Sequence, residues 1–175
     1  VTDGTPGFKK EKPSLSKHKQ DMNLTDQVEL LAYCLMPNHY HLLVRQNIAD
    51  GITKIIRRVC VNYSMYFNKK YARQGSLFES IYKAVFVETE EQLLHVSRYI
   101  HLNPVRREVH KIGPVRTMSA SNPADYPYSS YKYYISGNSP AWLNPLLINN
   151  IVGYKYEQFT NDYSLNTELI YPSLL

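Results

Sequence analysis

Two histidines separated by one residue, His39 and His41, are the clearest sign of metal chemistry in this sequence. They follow the turn signal Pro37-Asn38, and the residues after the turn are predicted to form a strand. Side chains alternate between the faces of a strand, so both imidazoles are expected on one face and Tyr40 on the other. Two adjacent imidazoles make half of a divalent-metal site. The same spacing fits two surface or packed histidines, so both interpretations stay open.

A second polar group, centred on Tyr99, suggests nucleophilic chemistry. His95, Tyr99 and Asn103 recur at intervals of four residues, which places them on one face of a helix. A tyrosine hydroxyl becomes a useful nucleophile where a metal ion or a base stabilises its developing charge. A tyrosine at the boundary of the core is the commoner explanation of such a pattern. The spacing alone does not choose between the two.

A long basic helix is predicted from Ile52 to Arg73, because apolar residues recur there at helical spacing. No acidic residue occurs in residues 51–78. Solvated helix faces usually mix both signs of charge, so a face of one sign favours phosphate contacts. A merely soluble basic face is the alternative. The basic residues of this segment are Lys54, Arg57, Arg58, Lys69, Lys70 and Arg73.

A hairpin is predicted to carry the histidines. Its first strand is the apolar run Val28 to Met36, and its second is His39 to Val44. Ile81 to Val87 is rich in β-forming residues and is predicted to be a third strand.

The helix that carries Tyr99 has clear sequence signals at both ends. Thr89 and Gln92 form a capping-box pattern, so the helix is predicted from about Glu90 to Leu102. Pro104 is expected to push the residue before it out of the helical region and so to end the helix. The core face of this helix is predicted to consist of Leu93, Val96, Ser97 and Ile100.

Composition indicates one domain in a reducing compartment. The chain has 175 residues, of which 43% are hydrophobic, and a net charge of +5 that favours an anionic partner. Cys34 and Cys60 are predicted to be reduced, structural thiols, and no segment reads as a signal peptide or membrane span. We therefore expect a cytoplasmic protein. Residues 1–27 are predicted to be a flexible arm or long loop, 28–135 the main folded domain and 136–175 a helical extension, with a short helix over 125–135.

Five stretches occur in the order found in REP-associated tyrosine transposases. These proteins belong to the HUH class and are relatives of the insertion-sequence single-strand transposases. The chain resembles this family from about Leu30 to Tyr134, and the ordered combination is highly specific. The stretches are Met36–Leu43, Tyr66–Phe78, Tyr82–Ala84, Ser97–Arg106 and Tyr126–Tyr131.

The resemblance implies a fold and a reaction, with residues 28–135 as the catalytic domain of a nucleoid-associated protein. The fold is an α+β, ferredoxin-like sandwich with an antiparallel sheet and helices on one face, followed by the C-terminal helical extension. His39, His41 and Asn103 would hold Mg²⁺ or Mn²⁺, and Tyr99 would be the nucleophile that nicks DNA through a 5′-phosphotyrosine. With two imidazoles in the site, Mn²⁺ should bind more tightly than Mg²⁺. Further DNA contacts are expected at Lys83, Arg106 and Arg107.

The expected partner is single-stranded or hairpin DNA, bound by a monomer or a homodimer without any membrane. A non-catalytic, domesticated hairpin-binding protein with the same fold is the alternative. Two departures from the family pattern support it. Ile81 stands where relatives tend to carry arginine, and no first strand and helix are recognised before the hairpin. A small metal-dependent hydrolase is disfavoured by the long basic segment.

Overall fold

The structure is a computed structural model that describes residues 24–79, 81–105 and 121–162. The predicted arm, residues 1–27, lies almost entirely outside these ranges, as do Arg106 and Arg107. The described part contains two strands and five α-helices. These are β1 (Val28–Leu35), β2 (Tyr40–Gln46), α1 (Gly51–Lys70), α2 (Glu90–Leu102), α3 (Tyr131–Ser136), α4 (Leu146–Val152) and α5 (Tyr156–Asn161).

The predicted hairpin is present. Strands β1 and β2 pair antiparallel, with Cys34 opposite His41 and Leu35 opposite Tyr40. The tight connection is closed by the Met36 amide, which donates to the His39 carbonyl at 2.9 Å. Cys34 is fully buried and reduced, as predicted, and burial raises the pKa of its thiol to about 12. The α+β class with an antiparallel sheet is confirmed.

The predicted third strand, Ile81 to Val87, is wrong. This segment forms no strand, and the side chains of Ile81 and Phe86 are 86% and 82% exposed. A strand needs a partner edge as well as β-forming residues. The edge of β1 that faces away from β2 is occupied by the C-terminal region instead, where the Leu35 amide donates to the Tyr128 carbonyl at 2.9 Å.

Helices contact both sides of the hairpin, whereas the sequence predicted helices on one face. The hydroxyl of Tyr40 lies 3.6 Å from Cys60 Sγ of α1. The next side chain, His41, points the other way and contacts Asn103, at the end of α2. The hairpin therefore separates the basic helix α1 from the helix that carries Tyr99.

Helix α1 begins where its backbone touches the hairpin. A Cβ atom added to the buried Gly51 would lie 2.8 Å from Val28 Cγ2 and 2.9 Å from the Gln27 carbonyl oxygen. Glycine is therefore required here for close approach, and no larger residue fits without a shift of the backbone.

Replacing Gly51 by alanine should destabilise the fold by about 1–3 kcal/mol, the usual cost of overpacking. The gain in helix propensity offsets little of this cost, because the Gly-to-Ala difference of about 1 kcal/mol applies to helix interiors and Gly51 is the first residue of the helix. Urea unfolding of Gly51→Ala against wild type measures the difference. An unchanged or raised unfolding free energy would contradict the close approach.

Helix α2 starts and ends where the sequence predicted, but it ends for a different reason. Thr89 Oγ1 accepts a hydrogen bond from the Gln92 amide at 3.1 Å, while the Gln92 side chain accepts from the Glu88 amide at 2.8 Å. Asn103 keeps helical dihedral angles (φ −51°, ψ −42°), so Pro104 does not exclude it from the helical region. Pro104 ends the helix because it has no amide proton to continue the ladder.

The C-terminal region packs into the same core as the hairpin. The small docking helices predicted there are confirmed as α4 and α5. The predicted helix over 125–135 is wrong in its first half. A 3₁₀ turn, Pro123–Asp125, is followed by a turn and an isolated bridge between Ser129 and Cys34 of β1, and only then by α3. The extension contributes to the core Ile148, Val152, Tyr156 and Phe159.

Candidate active site

The hairpin brings the two histidines together. The ring centroids of His39 and His41 are 4.9 Å apart and the ring planes are nearly perpendicular. Tyr40, between them, points to the opposite side, where it contacts α1. The turn and the strand alternation therefore produce the adjacent pair of imidazoles that the spacing predicted.

The hydrogen bond to Asn38 defines which nitrogen of His39 carries the proton. His39 Nδ1 lies 2.7 Å from Asn38 Oδ1. An amide oxygen only accepts, so Nδ1 carries the proton and donates it. In the neutral ring, Nε2 is then the nitrogen with a lone pair. Metal-ligating histidines generally donate their other ring N–H to such an acceptor.

His41 faces the end of α2. Its Nε2 lies 3.1 Å from Asn103 Nδ2, which can only donate, so Nε2 is the acceptor in this arrangement. The ring of His41 also packs edge-on against Tyr99, with centroids 5.4 Å apart. The predicted nucleophile and the predicted ligands therefore meet at one place, although they come from segments about sixty residues apart.

The buried side-chain oxygen of Asn103 is the feature of this site that bears on metal binding. The residue is 1% exposed, and its Oδ1 has no hydrogen-bond partner among the described residues. A buried carbonyl oxygen without a partner is costly, and a cation is one way to satisfy it. Two imidazoles and an amide oxygen suit a divalent transition metal. These donor types fit the implied ion, but His41 Nε2 would have to give up its hydrogen bond from Asn103 Nδ2 in order to ligate it. No group of three or more His, Cys, Asp or Glu residues that could hold a metal ion occurs in the described ranges.

His95 does not join this group. Its Nε2 lies 3.8 Å from Glu91 Oε1, one turn earlier on α2. The polar face predicted for α2 therefore divides, with His95 paired to Glu91 and Tyr99 and Asn103 at the histidine pair.

A buried histidine that the sequence did not single out, His101, connects α2 to the C-terminal region. Its Nδ1 lies 2.8 Å from the Tyr156 hydroxyl and its Nε2 lies 2.7 Å from Ser130 Oγ. Tyr156 donates to Ser97 Oγ at 3.0 Å, and Ser97 donates to the Leu94 carbonyl at 2.8 Å. Ser130 Oγ also donates to the Tyr33 carbonyl at 3.1 Å, so its single proton serves either that carbonyl or His101 Nε2. The hydrogen bonds therefore allow either neutral tautomer of His101.

The network continues into the hairpin. Ser130 Oγ accepts from the Tyr33 amide at 2.8 Å, and the Tyr33 carbonyl accepts from the Ser130 amide at 3.0 Å. Strand β1, helix α2 and helix α5 are thus joined by one chain of hydrogen bonds that runs through a neutral imidazole. Because His101 lies two residues after Tyr99, this chain fixes the helix that presents the predicted nucleophile.

Burial lowers the pKa of His101 to about 3, from an ordinary value of 6.5. Between these pH values the unfolded chain binds a proton that the folded chain does not, so stability should fall as the pH falls. The slope from this residue is at most about 1.4 kcal/mol per pH unit. Urea unfolding across this range should show a shallower pH dependence for His101→Gln. Tyr156→Phe, which weakens the network but keeps the imidazole, should retain the slope, and equal slopes in all three proteins would contradict this account.

Two buried side chains of α2 were missed by the sequence reading. His101 lies four residues after Ser97, so extending the predicted core face by one turn would have found it. Arg98 is 9% exposed, and its guanidinium lies 3.7 Å from the centroid of the Phe159 ring. No local signal predicts this stacking, because Phe159 belongs to a distant helix.

The predicted DNA-binding residues lie in different environments. Lys54 is paired with Asp50 at 3.0 Å, so the basic segment is partly neutralised at its start. Arg58 is half-buried, and its Nη1 has no hydrogen-bond partner in the described part of the chain. Arg73 donates to the Ser76 carbonyl and belongs to the turn after α1. The remaining described members are exposed, namely Arg57, Lys69, Lys70 and Lys83.

No helix within residues 24–79, 81–105 and 121–162 has the length and apolar character needed to cross a membrane.

The sequence model of the family described as "Transposase IS200 like" matches residues 8–103, more than half of the chain. Neither the comparison with curated proteins nor the comparison with solved structures finds a match. The matched region includes both histidines, Tyr99 and Asn103.

Proposed function

The chain belongs to the family of IS200-like transposases, and from this premise we propose that it nicks single-stranded or hairpin DNA with Tyr99. The family implies a DNA-cleaving enzyme, and the finer assignment is our inference. The observation that carries it is the meeting of Tyr99 with the histidine pair. The rings of His41 and Tyr99 are in contact, and Asn103 is hydrogen-bonded to the same imidazole.

The proposed reaction exchanges one phosphoester bond for another. The Tyr99 oxygen forms a bond to the DNA phosphorus while the bond from that phosphorus to the 3′ oxygen breaks. The phenolic proton is released, and the departing 3′ oxygen takes up a proton to become a hydroxyl. The product is a 5′-phosphotyrosine, which a second 3′-hydroxyl can attack to rejoin strands. No ATP is required, because the bond energy is kept in the phosphotyrosine.

His39, His41 and Asn103 would hold the Mg²⁺ or Mn²⁺ ion that the family implies. When bound, such an ion supplies positive charge for the attacked phosphate and for the developing phenolate. The residues of this chain would do the positioning. Asn38 orients the His39 ring so that its Nε2 could ligate the ion, whereas the hydrogen bond from Asn103 Nδ2 to His41 Nε2 would have to open for that nitrogen to ligate.

Helix α2 would hold Tyr99 in a fixed position for the reaction, because both ends of the helix are anchored. The Thr89 cap fixes the start of the helix, and the His101 network fixes its last turn to β1 and α5. A nucleophile held on a rigid element needs little reorganisation before it reacts. Exposed basic residues such as Arg57 and Lys83 would bind phosphates and supply salt-dependent affinity.

The test is covalent capture. The complete chain is incubated with end-labelled DNA that contains a hairpin and single-stranded flanks, with EDTA or with Mn²⁺, and is then denatured. We expect a protein–DNA adduct that survives denaturation only when the metal is present. Tight hairpin binding without an adduct in Mg²⁺ or Mn²⁺ would overturn the proposal and support the non-catalytic, hairpin-binding alternative.

A further inference from the structure

The C-terminal half of α1 carries an aromatic ladder, which we define as Tyr63, Tyr66, Phe67 and Tyr71. The ring centroids of Tyr63 and Phe67 are 6.0 Å apart, and those of Phe67 and Tyr71 are 4.5 Å apart. The ring of Tyr66 lies 6.5 Å from that of Tyr63. The spacing by three and four residues places all four on one side of the helix.

The three tyrosines of this ladder are exposed and Phe67 is half-buried, in contrast to the buried tyrosines of the C-terminal region. Tyr66 is 58% and Tyr71 is 57% exposed, whereas Tyr131 and Tyr156 are almost fully buried. Only Gly51 of the whole helix is buried. Large aromatic side chains clustered on a surface usually indicate a binding site, because isolated folding gains nothing from their exposure.

The positive charge around the ladder favours an anionic ligand. Lys70 Nζ lies 5.6 Å from the centroid of Tyr66 and 5.4 Å from that of Tyr71, and Lys69 is exposed beside it. The sequence has no acidic residue in residues 51–78 to balance these charges. Two copies of this chain would bring like charges together, so self-association through the ladder is disfavoured. A cation–π contact at an exposed site is weak, so Lys70 can leave the rings for a phosphate.

The dimensions suit a short single strand. From Tyr63 to Tyr71 the helix axis advances by about 12 Å, at a rise of about 1.5 Å per residue. One nucleotide advances by about 3.4 Å along a stacked strand, so the ladder spans about three to four nucleotides. Proteins that bind single strands combine aromatic platforms with basic grooves, since every base offers a face for stacking.

We propose that the aromatic ladder binds an unpaired stretch of DNA by stacking bases on Tyr66 and Tyr71, with Lys69 and Lys70 on the phosphates. The inference rests on the proposed function, since it names which part of the DNA substrate this face would hold. It adds a site for unpaired bases on α1, whereas Tyr99 and the histidine pair lie on the other side of the hairpin.

The test compares two fluorescent probes in EDTA, a short dT oligonucleotide and an abasic oligonucleotide with the same number of phosphates. Wild type should prefer the dT probe. Tyr66→Leu and Tyr71→Leu, alone and together, should each reduce dT affinity by about fivefold or more and leave abasic binding unchanged. Tyr66→Phe and Tyr71→Phe keep the rings and should retain the preference. Tyr154→Leu, a matched change at an exposed tyrosine elsewhere, should have no effect.

Salt dependence separates stacking from charge. The leucine variants should lose affinity with the salt slope unchanged, whereas Lys69→Gln should weaken both probes and lower the slope by about 0.7. If a leucine variant does not fold, a 2-aminopurine base in the dT probe still reports stacking on wild type through quenched fluorescence.

Three results would overturn the ladder proposal. They are equal affinity of wild type for the two probes, absence of quenching, and a wild-type dimer in sedimentation that the leucine variants dissociate. All readings are made without metal and without cleavage. A protein that forms the covalent adduct but shows no base preference would refute only the ladder, and the reverse result would refute only the nicking reaction.

Discussion

Replacing Tyr99 by phenylalanine should abolish the covalent adduct with DNA while the fold and the DNA affinity survive. The substitution removes one hydroxyl and keeps the ring that packs against His41. Enzymes that lose a nucleophile lose roughly 10⁴-fold or more in rate, so no adduct should be detectable by gel. Urea unfolding and hairpin binding in EDTA verify that the variant is otherwise intact.

Tyr128→Phe is the matched control for this variant. Tyr128 is 52% exposed and is not one of the proposed site residues, so its loss of a hydroxyl should leave the adduct in place. An adduct that persists in Tyr99→Phe would assign the chemistry to another tyrosine. The chain has 16 tyrosines, which makes this control necessary.

Replacing both His39 and His41 by alanine should abolish Mn²⁺ binding and, with it, adduct formation. The buried Asn103 oxygen alone cannot hold a divalent ion, because one neutral ligand provides too little affinity. Even outer partners of metal ligands cost about 10–100-fold in metal affinity when removed, so loss of two ligands should exceed this. Titration calorimetry with Mn²⁺ measures the loss, and hairpin binding in EDTA should be largely unchanged.

Two single variants, Asn38→Ala and His95→Ala, provide comparisons for the Mn²⁺ affinity of the double-alanine variant. Asn38 accepts the His39 Nδ1 proton at 2.7 Å, so its loss should weaken Mn²⁺ binding by about 10–100-fold. His95→Ala removes a nearby imidazole that is paired with Glu91, and it should leave Mn²⁺ affinity unchanged. Retained Mn²⁺ affinity in the double-alanine variant would place the ion elsewhere. Wild type should also prefer Mn²⁺ over Mg²⁺, as two imidazole ligands favour the transition metal.

The parts of the fold that local chemistry determines were predictable from the sequence. The Pro37-Asn38 turn and the alternation around Tyr40 predicted the hairpin and the shared face of the histidines. The Thr89–Gln92 spacing predicted the start of α2, where Thr89 does accept from the Gln92 amide. The proximity of Tyr99 to His41 was predicted only through the family resemblance, because the sequence between the two residues does not indicate how far apart they lie in the fold.

The parts that depend on contacts distant in sequence were not predictable. Ile81 to Val87 has strand-forming composition, but the pairing edge of β1 is taken by residues near Tyr128. His101 was overlooked because its partners, Ser130 and Tyr156, belong to later elements. The exposure of α1 also depends on distant contacts. Helical periodicity predicts an apolar face, but it does not show whether another element covers that face.

Mass spectrometry of the trapped adduct tests the central claim most directly. Trypsin cleaves after Arg98 and Arg106, and the peptide between them, residues 99–106, contains a single tyrosine, Tyr99. After nuclease and trypsin digestion of the Mn²⁺-dependent adduct, we predict that this peptide carries the mass of a 5′-phosphonucleotide. The same mass on a peptide with any other tyrosine, or an unmodified 99–106 peptide in an adduct-forming sample, would contradict Tyr99 as the nucleophile.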